Sequence, residues 1–175
     1  EYLLSQRVKK NLKDITKDLE KLTPVKSVTT ILNVPLLLSS KKSLVDVLEG
    51  VPTVEDNIVE DTFIKEEFIS SPLYKNNLVS EDFKTTAILI NLRENETLRE
   101  LREKKREYQN ILEERNLNDS ELNSFNLVKQ DITKERDKLR KIQSELILNV
   151  RNIVSEYRQH GELYLGGIPM IANDV

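Results

Sequence analysis

Apolar residues near the start of the chain recur at helical spacing. Val8, Leu12, Ile15, Leu19 and Leu22 follow one another at steps of four, three, four and three, with Lys and Asp on the opposite face. This pattern predicts an amphipathic helix that ends at Thr23-Pro24, because proline disfavours helical geometry in the residue before it. From Val25 to Val34 Val, Ile and Thr dominate, which predicts a strand ended by Pro35. The apolar triplet Leu36, Leu37, Leu38 then runs into polar Ser39-Ser40-Lys41-Lys42. Thr53 and Asp56 have capping-box spacing and predict a helix with Val54, Ile58, Val59, Phe63 and Phe68 turned inward, ending at Ser70-Ser71-Pro72. Leu73 to Val79 reads as a short strand. Thr85 to Leu92 is the clearest strand, and its near-continuous apolar run predicts burial on both faces.

The segment from Glu94 to His160 has a different texture. It is rich in Glu, Lys, Arg, Gln and Asn and has no Pro or Gly. Leu98, Leu101, Tyr108 and Leu112 share one helical face. Asn116 to Glu121 interrupts the pattern and offers several N-capping residues. Beyond it Ile132, Leu139, Leu146 and Ile153 are spaced by sevens, with Val128 and Ile142 in complementary seam positions, which is a coiled-coil-like stripe. The expected structure is a helical hairpin that rises from about 97, turns near 116–120 and returns to 160. Gly161 then breaks the helix, Glu162 to Leu165 reads as a last short strand, Gly166 to Pro169 as a turn, and Met170 to Val175 as the first turn of another helix.

With the first helix set aside, the order is strand, helix, strand, strand, helix, strand. That is the ferredoxin-like split βαβ pattern. The expected fold is therefore α+β: a four-stranded, mainly antiparallel sheet with helices on one face, an N-terminal helix and a long inserted antiparallel helical hairpin. Residues 1–94 and 161–175 would form the ferredoxin-like subdomain, and 95–160 the coiled-coil-like extension.

Composition narrows the function classes. Among 175 residues, 38% are apolar and 33% charged, which is polar for a compact body and suits a solvated extension. With 5% aromatic residues and no Trp, the core must be aliphatic. The net charge of -3 comes from interspersed signs, so no strong field attracts nucleic acid or anionic lipid. Even the basic cluster Arg99, Arg102, Lys104, Lys105 and Arg106 is interleaved with Glu100, Glu103 and Glu107. No Cys is present, which excludes disulfides and thiolate metal sites. The longest apolar runs are far shorter than the roughly 20 residues that span a bilayer. No signal peptide is recognisable, and the start at Glu1 without Met suits an excised fragment.

Catalytic, cofactor-binding and metal-binding residues are not expected. The single histidine, His160, lies at a helix end, where it most often complements the helix dipole or is a plain surface residue. No phosphate-cradling glycine motif or EF-hand loop occurs. Glu60/Asp61 and Glu66/Glu67 are adjacent acids of the kind that usually face solvent.

Three segments together carry a resemblance. Val25-x-Ser-Val-x-Thr opens the predicted sheet. Ser71-Pro-Leu-Tyr74 runs into Asn77-Leu-Val-Ser-Glu-Asp82 and the strand Thr86-Ala-Ile-Leu-Ile. Gly166-Gly-Ile-Pro-Met-Ile-Ala-Asn-Asp174 closes the chain. In this order they resemble the first large extracytoplasmic loop of exporters of the resistance-nodulation-division (RND) superfamily, in its MMPL-like, predicted-exporter branch. The resemblance implies a ferredoxin-like porter subdomain between the first and second transmembrane helices of a proton-driven inner-membrane protein. Its partners would be those helices, the second loop domain of the same polypeptide and a hydrophobic or amphipathic substrate. Binding would drive rocking only through different affinity for two states. The long segment from Glu94 to His160 departs from a compact porter subdomain and is a candidate for contact with an accessory protein or another copy.

On this reading Leu36, Leu37 and Leu38 are candidates for a substrate- or membrane-proximal patch, although apolar triplets more often fill a core. Tyr108, Leu117 and Phe125 near the hairpin bend are candidates for a partner contact, against the plainer expectation of hairpin self-packing. The alternative function is a coiled-coil interaction or scaffold module on a small α+β base, with the heptads of 122–157 pairing between chains. A small ferredoxin-like enzyme is disfavoured by the scarcity of catalytic side chains.

Overall fold

The fold was obtained as a computed structural model that describes residues 2–38 and 51–167. Its elements are helix α1 (Gln6–Glu20), strand β1 (Val25–Thr29), a 3-10 turn (Val54–Asp56), helix α2 (Asp61–Ser70), strand β2 (Leu89–Leu92), helix α3 (Glu96–Glu114), helix α4 (Asp119–Tyr157) and a closing 3-10 turn (Arg158–His160). The expected turn through Pro169 and the helix start at Met170–Val175 lie outside the described residues. The chain is α+β, with four helices and a two-stranded antiparallel sheet among the described residues. It divides into two compact units, one from residues 2–38, 51–92 and 152–164, the other from 93–151 and 165–167.

In the first unit α1 follows its sequence pattern. Ser5 caps it, its hydroxyl accepting from the Val8 N–H at 3.4 Å. Leu12, Ile15 and Leu19 are buried and Val8 is half-buried. β1 pairs antiparallel with β2, joining Ser27 to Asn91, Val28 to Ile90 and Thr29 to Leu89. A register shift between Val25 and Ser27 marks a bulge. In a regular strand residues three apart face opposite ways, so the extra residue is what lets Val25 and Val28 both be buried.

β1 stops five residues short of the expected Val34, and the reason is Asn33. Its side-chain oxygen accepts from the Thr30 N–H at 2.8 Å and its amide donates to the Val28 carbonyl at 2.7 Å. These bonds replace ladder partners and turn the chain inward, so Ile31, Leu32, Val34 and Leu36 enter the core.

The helix expected from Thr53 is split. The capping box forms, with the Thr53 N–H donating to the Asp56 carboxylate at 2.7 Å. Asn57 then adopts a left-handed conformation (φ 52°), which ends the turn, and α2 begins only at Asp61. The shift changes the inward face. Val54, Ile64, Glu67 and Phe68 are buried, while Ile58 and Phe63 are exposed.

Residues 71–87 form a closed loop rather than the expected strand at 73–79. Bridges of single residues join Lys75 to Val79 and Val79 to Thr86. Asn76 and Phe83 take positive φ. The Ser80 hydroxyl accepts from the N–H groups of Lys84 and Thr85 and donates to Asp82. Phe68 packs against Tyr74 and Phe83 at ring distances of 5.1 and 6.2 Å. β2 begins at Leu89, and its alternately half-buried and exposed residues mark a solvated ribbon rather than a strand covered on both faces. Glu162 to Leu165, expected as a strand, is coil.

The second unit is an antiparallel hairpin. Residue 95 meets 135, 108 meets 125 and 115 meets 121, so the partner's number falls as the chain climbs. Asn95 caps α3 through the Leu98 N–H at 2.7 Å, and its amide reaches Glu135 across the hairpin at 3.0 Å. At the bend the Asn118 and Glu121 side chains each accept the other's backbone N–H, a reciprocal capping box that starts α4. Arg115 grips both Glu121 oxygens at 2.8 and 2.6 Å. Of the predicted seam, Leu146 is buried, Val128, Ile132, Leu139 and Ile153 are half-buried, and Ile142 is exposed. Ile147 and Val150 of α4, outside the predicted seam, are buried as well.

Candidate functional site

The first unit carries a cleft of about 380 Å³. α1 supplies one wall. Val8, Leu12 and Ile15 lie at the four- and three-residue spacing that aligns side chains on one face, and this stripe reaches the cleft as well as the core. Ile88, just before β2, and Leu163 extend the apolar surface. Polar groups gather at the mouth: Asn11 one residue before Leu12, Lys84 and Thr85 from the 71–87 loop, and His160, Glu162 and Tyr164 from the segment after α4. An apolar concavity with a few polar groups is the usual form of a small-molecule site.

Tyr157 anchors the wall opposite α1. Its hydroxyl donates to the Asp18 carboxylate at 2.6 Å. Burial, aided by that carboxylate, pushes the Tyr157 hydroxyl up to about 12. Asp18 is held below the ordinary carboxylate range by Lys21 first and by Tyr157 second. The pair thus joins α1 to the C-terminal end of α4, and both Tyr157 and the segment that follows it line the cleft. At the mouth Tyr164 donates to Glu162 at 3.1 Å, and the carboxylate raises the Tyr164 pKa. Asp82 accepts from Ser80 at 2.7 Å and from the Lys84 N–H at 3.2 Å, and these bonds lower its pKa. Among the described residues no group of three His, Cys, Asp or Glu side chains is arranged to hold a metal ion.

The leucine triplet divides. Leu36 is 0% exposed in the core, whereas Leu37 and Leu38 are 52% and 69% exposed. Their backbones are held all the same. Both N–H groups donate to the buried Glu67 carboxylate, at 2.6 and 3.1 Å, and the Tyr74 hydroxyl donates to the Pro35 carbonyl. Glu67, expected on a solvated face, is therefore a buried structural acceptor, while Glu66 faces solvent.

In the hairpin the structure brings Tyr108 and Phe125 together at a ring distance of 5.6 Å, with the Lys129 ammonium 4.0 Å from the Phe125 ring centre. Phe125 is buried, Tyr108 is half-buried, and Leu117 is half-buried in the bend.

The cleft residues were not singled out as a site from the sequence. The α1 stripe was visible, but the opposite wall comes from residues 157–164, separated from α1 by most of the chain. No local spacing records that meeting. Among the described residues no helix is long and apolar enough to cross a membrane. Comparison with protein-family models, with curated proteins and with solved structures returned no match.

Proposed function

We propose that this chain is the extracytoplasmic loop domain of a proton-driven RND-type exporter, lying between its first two transmembrane helices and contributing the cleft to the passage of hydrophobic or amphipathic cargo. The observation that carries the reading is strand pairing. A ferredoxin-like split βαβ sheet sets its third strand between the first and the second, antiparallel to both. Here β1 pairs antiparallel with β2, and Val79 makes an antiparallel bridge to Thr86. In this reading the loop residues 73–79, with their single-residue bridges, and the coil at 162–165 stand in the places of the two outer strands of the sheet.

The quoted motifs also supply main fastenings of the first unit. Val25, Val28, Tyr74, Leu78 and Val79 are buried, and Ser80 organises its loop. The role proposed is binding and movement, not bond-making. The alternative of a coiled-coil module pairing between chains is less favoured, because the contacts of Tyr108 with Phe125 and of Asn95 with Glu135 join the arms within one chain.

The test is membrane sidedness. Lys104 is exposed on α3 and the chain has no Cys, so Lys104→Cys adds a single reporter here. In the full-length polypeptide in intact cells, a membrane-impermeant maleimide should label this variant above the unsubstituted background. Labelling that appears only after lysis overturns the proposal.

A further inference from the structure

We infer that the cleft of the first unit binds a single-chain amphiphile with an anionic head, its alkyl chain lying along Val8, Leu12, Ile15 and Ile88 and its head at Lys84. This deepens the exporter reading by naming a cargo class, but the geometry of the cleft carries it.

Three features lead there. The first is the wall. Val8, Leu12 and Ile15 of α1, together with Ile88, present aliphatic side chains that offer an alkyl chain contact. The second is size. About 380 Å³ lies near the lower end of the usual range for small-molecule sites, roughly 300–1,000 Å³, and so suits one chain rather than two. The third is the mouth. Lys84 and Glu162 are exposed there, so a charged head remains in contact with water while the chain is buried.

Of the formally charged side chains that line the cleft, Lys84 is the cation and Glu162 the anion. The Lys84 ammonium is 4.0 Å from Asp82, at the limit of ion pairing, and its side chain is 76% exposed. Asp82 is meanwhile supplied with closer donors by Ser80 and the Lys84 N–H. Lys84 can therefore turn to another carboxylate, sulfate or phosphate at small cost. Glu162, the acid that also lines the cleft, keeps its negative charge while it accepts from Tyr164, so an anionic head belongs at Lys84 and away from Glu162. The Asn11 amide and the Thr85 hydroxyl have no side-chain partner among the described residues and add neutral donors for a head group.

The test titrates the full 175-residue chain with sodium octanoate, decanoate and dodecanoate below their micelle concentrations, followed by calorimetry. Decanol and decyltrimethylammonium are the head-group controls. Affinity should rise roughly three- to fourfold per added methylene until the cleft is full. Lys84→Glu should weaken the alkanoates at least tenfold and leave decanol unchanged. Val8→Trp, which fills the cleft from α1, should weaken every ligand; if circular dichroism shows that it unfolds the chain, Asn11→Trp takes its place. The inference is overturned if no alkanoate binds, if the cationic amphiphile binds as well as decanoate, or if a folded cleft-filling variant binds undiminished. Binding and sidedness are read separately. A chain that binds decanoate, but whose Lys104→Cys variant is labelled only after lysis, keeps this inference and loses the exporter.

Discussion

At the residue scale, a few polar side chains decide where the backbone goes. Asn33 stops β1 by taking the places of ladder partners. Glu67 holds the N–H groups of Leu37 and Leu38 from inside the unit. Tyr74 packs its ring on Phe68 and donates to the Pro35 carbonyl. Tyr74→Phe keeps the ring and removes only the donor, leaving that carbonyl without this bond. The expected loss is about 1 kcal/mol, the usual net contribution of a hydrogen bond, since this one is only partly buried. Urea unfolding should show a lower midpoint at an unchanged slope, since the surface exposed on unfolding is the same. An unaltered midpoint would mean that the bond contributes nothing net.

At the scale of elements, the helices follow local pattern and the bend follows capping chemistry. Glu121 accepts both from Arg115 and from the Asn118 N–H, and these bonds, the arginine's first, lower its pKa from 4.5 to about 2. A carboxylate whose folded pKa is depressed stabilises the fold above its unfolded pKa, and that contribution is lost as pH falls through the folded value. The bend should therefore be intact at neutral pH and loosen between about pH 4.5 and pH 2. Amide exchange at residues 115–121, or the Arg115 side-chain resonances, should report it. In Glu121→Gln the neutral amide cannot titrate, so this acid-dependent step should vanish. If the step persists in the variant, another group is responsible. The heptad reading of α4 fails at Ile142, which is exposed; 3.6 residues per turn do not divide evenly into a seven-residue repeat.

At the scale of the whole molecule, two compact units are built by different means. The first closes contacts between segments far apart in sequence, such as Asp18 with Tyr157. The second joins neighbouring arms by contacts such as Tyr108 with Phe125. Phe125→Ala removes a buried ring and should cost the hairpin about 3 kcal/mol, the lower end for such truncations. Hydrogen exchange followed by mass spectrometry should show reduced protection across residues 98–151. Undiminished protection there would show that the aromatic pair does not hold the arms. The Tyr157 pair predicts the opposite pH trend for the first unit. A hydroxyl raised to about 12 stabilises fully below its ordinary pKa of 10.0 and loses that contribution as pH rises towards 12.

The amino-acid pattern alone determined the helices α1, α3 and α4 and the bend between the last two, because helical periodicity and capping act over a few neighbouring residues. It read the core as aliphatic, whereas Phe68, Tyr74 and Phe83 form an aromatic cluster among the buried Leu, Ile and Val. Only tertiary structure decided that Leu36 is buried while Leu37 and Leu38 are exposed, and that Glu67 is inside. It also decided that Val8 and Ile15 line one cleft with Leu163. These outcomes depend on partners brought from distant parts of the chain. A side chain carries its own polarity in the sequence, but its burial is a property of what folds against it.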